Sequence, residues 1–569
     1  MSETSIPIAP LPVARIPTMN LPAWAQSLVE RYESNAANQF LLYGNIADSV
    51  SLQTPSGPRL GALSEFLLSA LLARFDVVLS YDLGNGIRIE KGAELFSKWP
   101  AFQESQKDWK TPRPAIETLT RYFRYCANLA RLNQPAPQVG CIIKNADLLI
   151  PPSSGLDYNL NALASLIRDW SNDSLLTSHA LATFLLTENI NDLHPLIVNN
   201  PRTARVRIDL PTVPQIGEAL QQLSATYPIA MSEAGKDPAN SAAQLAGTTL
   251  CALENIVKTK QHRREPLDST DLAKIKKELV ENDTNGLIEF LQTQRTLNDV
   301  YGLDSIKTWL RQDIALWRKN DTAALPKGYL LCGPVGTGKT YLVECLAGEA
   351  AVPVVKMKNF RDKWVGSSEG NLEKIFRLIH ALGRCYVFID EADQSLGRRD
   401  SSSGDSGVSG RIYSMLAEEM GSSSNRGSVI WILASSRPDL IEVDLKRPGR
   451  VDVKIPLFPT STKQESFDLF RMLLKKRGID LPENSFAALE MYVPLLLTPG
   501  AAEALAVKIY RLVRTSNLKL DEVMLSSLRE YQNPVAVDVM QFQIGLAVAE
   551  ASDLEFVPAL FRPTAKPRA

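Results

Sequence analysis

The sequence predicts an α/β chain with two parallel-sheet blocks in tandem, the second carrying a phosphate-binding loop. Three observations predict it. Short apolar runs alternate with stretches of helical period, as at Phe40-Leu41-Leu42-Tyr43, Val77-Val78-Leu79, Gly140-Cys141-Ile142-Ile143 and Phe184-Leu185-Leu186. Strands that are apolar throughout read as parallel and covered on both faces. Landmarks of the first block recur in the second at near-constant spacing. Finally, Gly333 to Thr340 fits GxxxxGK[ST].

A chain of 569 residues exceeds what one core supports. Residues 1–20, rich in Pro, Ser and Thr, read as a flexible arm, and 21–212 as the first α/β domain, without a phosphate loop. Residues 213–294 read as a helical lid and connector, 295–459 as the second α/β block, and 460–569 as a helical lid and C-terminal tail. Sixty-two basic residues against sixty-three acidic ones leave a formal charge of −1. That balance argues against a nucleic-acid or membrane-surface binder. Cys126, Cys141, Cys251, Cys332, Cys345 and Cys385 form no CxxC pair, and the four histidines do not cluster near them. The pattern argues against a zinc site or disulfide framework and fits a reducing compartment, hence a cytoplasmic location. We see no signal peptide and no apolar run long enough to span a membrane.

Three landmarks suggest a worn internal duplication. Val139 to Asp147 aligns with Cys385 to Asp393, putting Lys144 under Asp390, 246 positions apart. Leu185 to Leu193 aligns with Ile432 to Leu440, putting Asp192 under Asp439, 247 apart. Phe40 to Gly44 resembles Tyr329 to Gly333, but 289 apart, so the first block carries a longer insert between its first two landmarks.

The loop Gly333-Pro334-Val335-Gly336-Thr337-Gly338-Lys339-Thr340 follows an apolar strand and precedes a helical stretch, Tyr341 to Ala351. Its glycines let backbone N–H groups turn inward around phosphate oxygens, and the helix N-terminus adds partial positive charge. Lys339 would reach the β- and γ-phosphates of ATP, and the Thr340 hydroxyl would ligate Mg²⁺. The strand run Tyr386 to Ile389 ends in Asp390-Glu391, 51 positions beyond Lys339. Acids at a strand's carboxyl end sit beside the phosphates, where Asp390 would hold the magnesium shell and Glu391 polarise the attacking water.

From about Asp299 to Arg514 these residues resemble the AAA+ ATPases, specifically the core AAA clade of unfoldases and remodellers. The layout of the whole chain is also similar to the two-lobed "ycf" AAA proteins of plastids and bacteria. The resemblance implies a P-loop AAA+ parallel sheet with a helical lid, preceded by a degenerate AAA-like domain. It implies that Val300 and Gly302, in Asp299-Val300-Tyr301-Gly302-Leu303, lie against adenine. Trp364-Val365-Gly366 looks like the aromatic pore loop, flanked by Lys363 and Ser367-Ser368. Arg447 and Arg450, on the Pro448-Gly449 turn, look like the arginine-finger segment. Gly500 and Ala501, in Thr498-Pro499-Gly500-Ala501, look like the lid turn near the nucleotide. Ser436 stands where the family usually has asparagine; its reach is shorter, which points to slow hydrolysis. Arg398-Arg399 and the run Ser401 to Gly410 read equally as a second pore loop or a solvated linker.

These features imply an ATP hydrolase whose sites are shared between subunits of a hexamer, reshaping or unfolding a protein client. The alternative is a slow nucleotide-gated assembly scaffold that threads nothing. The first block has Gly44-Asn45-Ile46-Ala47-Asp48 for a phosphate loop and Lys144-Asn145 for the carboxylate pair. Lacking cradle, magnesium ligand and water-activating acid, it is expected neither to bind nor to hydrolyse ATP in that manner.

Overall fold

A computed structural model describes residues 21–562, apart from 55–56, 153–156, 269–270, 273–275, 278–279, 282–283, 285, 292, 320, 359–367, 397–405, 424 and 517. The arm at 1–20, the pore-loop residues Trp364, Val365 and Gly366, and the pair Arg398-Arg399 lie outside the described residues. The chain divides into two compact units, Met1–Lys276 and Lys277–Ala569.

In the first unit the strands are β1 (Gln39–Gly44), β2 (Ser49–Thr54), β3 (Gly57–Ala62), β4 (Val77–Asp82), β5 (Gly86–Lys91), β6 (Val139–Ile143), β7 (Leu181–Thr187) and β8 (Thr203–Ile208). The described helices include α1 (Ala23–Glu33), α2 (Pro112–Arg131), α3 (Tyr158–Asn172), α4 (Val213–Thr226) and α5 (Leu250–Arg263). Among the described residues one sheet runs β5-β4-β6-β7-β1-β8, parallel except for the β4–β5 pair. Strand residues alternate between two cores. Leu41, Leu79, Cys141, Ile143 and Leu185 pack with Phe123 of α2 and Ile167 and Trp170 of α3. Phe40, Leu42, Val78, Ile142 and Phe184 pack with Ala25, Leu28 and Val29 of α1. Both sheet faces are therefore dry, which is why the strands lack polar alternation. Helices α4 and α5 close a smaller core through Ile216, Leu220, Leu253 and Val257.

The second unit contains β9 (Ile288–Leu291), β10 (Gly328–Cys332), β11 (Val354–Met357), β12 (Cys385–Ile389), β13 (Val429–Ser435) and β14 (Val453–Pro456). Its helices include α6 (Asp304–Arg318), α7 (Lys339–Ala350), α8 (Ser368–Leu382), α9 (Ser406–Gly421), α10 (Lys463–Lys475), α11 (Pro499–Thr515), α12 (Leu520–Arg529) and α13 (Val537–Glu550). The described sheet runs β14-β10-β13-β12-β11-β9, parallel except for β9 against β11. Helices α10, α11 and α12, the helices expected as a lid, share a separate core of Phe467, Phe470, Leu505, Ile509 and Met524. Helix α13 then returns to the sheet: beyond it, Ser552 and Lys454 exchange hydrogen bonds and Phe556 joins the sheet core.

The two sheets have one topology. β8, β1, β7, β6 and β4 occupy the places of β14, β10, β13, β12 and β11, and each sheet ends in an antiparallel edge strand. The longer insert expected in the first block includes the β2–β3 hairpin and β5.

Three sequence expectations change. Tyr43 is opposite Thr187 as Cys332 is opposite Ser435, and Ile143 opposite Leu185 as Ile389 opposite Leu433. Leu185 therefore matches Leu433, 248 positions on, and not Ile432 as the 247-residue spacing put it. The Asp-Leu pairs beyond the strands do lie 247 apart, but within the strands a slip of one residue turns every side chain to the wrong face. The connector read as ending at 294 contains β9, whose Ile288 and Phe290 are fully buried; the compact units part at 276/277. Lastly, the Ser/Gly run is helical from Ser406.

Candidate nucleotide site

The phosphate loop leaves β10 at the carboxyl end of the parallel strands. Gly333 has φ +151°, and a Cβ there would lie 2.0 Å from the Leu457 carbonyl oxygen, so only glycine fits. Gly336 and Gly338 also have positive φ, and the Thr337 hydroxyl donates to the Pro334 carbonyl at 2.9 Å. Pro334 is buried and Val335 is exposed. Gly338 caps α7 with no side-chain bond, so the helix's first amides are available to an anion. Lys339 Nζ donates to the Gly333 and Pro334 carbonyls at 2.8 and 3.0 Å. Burial lowers its pKa to about 8, against the pull of Asp390. A triphosphate would give this ammonium the counter-charge that those carbonyls supply weakly.

Across the pocket, Thr340 Oγ1 donates to Asp390 Oδ2 at 3.1 Å, joining two motifs 50 positions apart. The Glu391 amide donates to Asp390 Oδ1 at 3.1 Å, while the exposed Glu391 takes a left-handed φ of +48° at the strand's end. A hydroxyl and a carboxylate beside phosphate oxygens are the hard oxygen donors that magnesium takes, so these residues fit the ion.

Ser436 is half-buried immediately beyond β13. Its neighbour Ser435 is buried and donates to Asp393 Oδ1 at 2.5 Å. Arg447 and Arg450 both pair with Asp444, but differently. The Arg447 side chain is 61% exposed, whereas Arg450 is 14% exposed and also donates to the Asp444 carbonyl at 3.0 Å. Of the two, Arg447 thus faces outward and Arg450 is tied down. Val300 packs against the sheet core and Tyr301 against the lid core, while Gly302 (φ +61°) and Leu303 (φ +59°) turn the chain into α6. The Gly500 amide donates to the Gly336 carbonyl at 2.9 Å, and Ala501 is buried beside it, so lid helix α11 begins on the phosphate loop.

Two residues at this site escaped the sequence reading. Lys356 Nζ lies 3.2 Å from Asp390 Oδ2; the available signal was a lysine inside an apolar strand run. Gln543 of α13 accepts from the Val335 amide at 3.3 Å. It occupies an apolar-stripe position with Met540, Ile544 and Ala547, and a polar residue on a buried stripe needs a partner.

In the first unit the equivalent loop is bonded within the chain through Asp48. Gly44 keeps a positive φ of +106°, but the loop runs into the β2–β3 hairpin. The Asp48 carboxylate, 5% exposed, accepts from the amides of Ser49, Leu250 and Cys251 at 2.7, 3.1 and 2.8 Å and from Asn45 Nδ2 at 2.9 Å. Leu250 and Cys251 open lid helix α5, so an aspartate sits where the second unit bonds Gly500 to its phosphate loop. Asn145, at the place of Glu391, keeps the left-handed φ at +51°. Lys144 lies 3.9 Å from Glu90.

Comparison with known proteins agrees with this architecture. Residues 14–209 match the family described as AAA+ chaperone, N-terminal Rossmann-like domain, and residues 329–458 match the ATPase family associated with various cellular activities (AAA). The human ATPase family gene 2 protein homolog A is 30% identical over 316 residues, 49% of this chain and 34% of that protein. The Cell division cycle protein 48 homolog of Archaeoglobus fulgidus is 37% identical over 156 residues, 27% of this chain and 21% of that protein. The ATP-dependent zinc metalloprotease FtsH 1 of Salinibacter ruber is 32% identical over 240 residues, 40% of this chain and 34% of that protein. The matched part thus spans about a third or less of these relatives. Among the described residues, no helix is long and apolar enough to cross a membrane. With two domain matches, a shared sheet topology and a formed phosphate loop, the chain carries an AAA ATPase domain behind an AAA+ chaperone-type N-terminal domain.

Proposed function

We propose that the second unit binds and hydrolyses Mg·ATP at the interfaces of a hexameric ring, and that this cycle reshapes or unfolds a protein client in the cytoplasm. The observation that carries the reading is the 3.1 Å hydrogen bond between Thr340 and Asp390, beside Lys339 and an uncapped helix N-terminus. The loop amides of 333–340 and Lys339 hold the triphosphate, Val300 and Gly302 meet the adenine, and Gly500 and Ala501 tie the lid to nucleotide state. Thr340 and Asp390 would hold magnesium, which draws charge off the phosphates when bound. Glu391 takes a proton from the attacking water, and Ser436 holds that water on a short reach. Arg447 reaches the neighbouring subunit's phosphates, and Arg450 braces its turn through Asp444. Trp364-Val365-Gly366 grips the client. The first unit neither binds nor hydrolyses ATP and serves assembly or client choice.

Calorimetry with Mg·ATP tests the pocket. Lys339→Ala is expected to weaken binding by about a hundredfold or more, because a charge-assisted phosphate contact is lost; undiminished heat of binding would refute the site. A second reading, a slow nucleotide-gated scaffold that threads nothing, is favoured by Ser436 at the asparagine position. Trp364→Ala separates the two. A remodeller loses client handling with ATPase activity kept, whereas a scaffold keeps both.

A further inference from the structure

Lys356 is the charged residue of the β11 run Val354-Val355-Lys356-Met357, paired with Phe388 in the strand register. Its Nζ stands 5.6 Å from the centroid of the Phe388 ring and 3.2 Å from Asp390 Oδ2. That oxygen also accepts from Thr340 at 3.1 Å, and Oδ1 accepts from the Glu391 amide. The Lys356 and Asp390 side chains are 25% and 27% exposed, so solvent only partly screens the pair. One carboxylate oxygen thus holds a hydroxyl and an ammonium together, in the place where a divalent ion would share it.

We propose that Lys356 is a positioning residue that sets how tightly magnesium binds with the nucleotide, a role that rests on reading Asp390 as the magnesium carboxylate. Before the ion arrives, the ammonium neutralises Asp390 and removes its repulsion from the incoming triphosphate. When the ion arrives, it meets a carboxylate already partnered by a cation, so binding loosens the Lys356–Asp390 pair. Lys356 therefore strengthens metal-free nucleotide binding and weakens the magnesium step.

The test uses the purified full chain and a fluorescent ATP analogue, first in EDTA and then titrated with MgCl₂. In Lys356→Met, metal-free affinity for the analogue is expected to fall about tenfold and the magnesium half-saturation point to move about tenfold lower. Lys356→Arg, which keeps the charge, is expected to retain both wild-type values. If Lys356→Met does not fold, Lys356→Gln is judged by the same two readings. Unchanged readings in the neutral variant, or magnesium binding that weakens, would overturn the role of Lys356 alone. A wild-type chain that binds no analogue with or without magnesium, or a Lys339→Ala variant that binds it undiminished, would remove the nucleotide site and this inference together.

Discussion

Glu391→Gln is expected to lower ATP turnover by about a hundred- to a thousandfold while Mg·ATP binding is retained. Glutamine has the same shape, so the left-handed turn at the end of β12 and the 391 amide bond to Asp390 persist. What is lost is a base able to take the proton from water. Phosphate release under saturating ATP measures the loss, and calorimetry with the same sample measures the retained binding. Trapped ATP should also favour the proposed hexamer, which mass photometry can read as a shift toward an assembled species. Normal turnover in this variant would remove Glu391 from its role. The same trapped protein is the reagent for capturing the proposed protein client.

Asp48→Ala is expected to cost the first unit about 3 kcal/mol, through the uncapping of α5 and unsatisfied buried amides. Four donors converge on this carboxylate, and two of them are the first amides of α5. Urea unfolding followed by circular dichroism should show an earlier transition for one unit, and Mg·ATP binding by the other should be unaffected. Burial raises the Asp48 carboxyl above the usual carboxylate range despite those hydrogen bonds. The folded unit thus holds that proton more tightly than the unfolded chain. This group favours the fold below the unfolded value, and the contribution fades as pH rises through the raised one. Mild acid therefore should not release α5 through Asp48. Asp48→Asn, which keeps an acceptor oxygen, should lose less than Asp48→Ala; equal stability of wild type and Asp48→Ala would show that the converging bonds contribute nothing net.

The first unit keeps the sheet topology of the second without its two motifs. Asn145 retains the left-handed turn of Glu391, and Gly44 the positive φ of Gly333, although neither stands in a GxxxxGK[ST] loop or an Asp-Glu pair. These positions belong to the strand-end geometry shared by both sheets. The loop between them has been rebuilt so that an internal anion, Asp48, meets the lid helix.

By itself the sequence determined the apolar strands, the loop from Gly333 to Thr340, the pair Asp390-Glu391, and the loss of both motifs from the first block. Each is written over at most eight consecutive residues, because backbone dihedrals, burial on two faces and a phosphate cradle are local demands. Tertiary structure alone decided that β9 closes the second sheet, that Leu185 matches Leu433, and that Arg450 is tied down while Arg447 faces outward. It alone also decided that Lys356 and Gln543 meet the site from 34 and 208 positions away. A hydrogen bond or ion pair acts over about 3 Å, and which residues come that close depends on strand order and helix return, not on their neighbours in the chain.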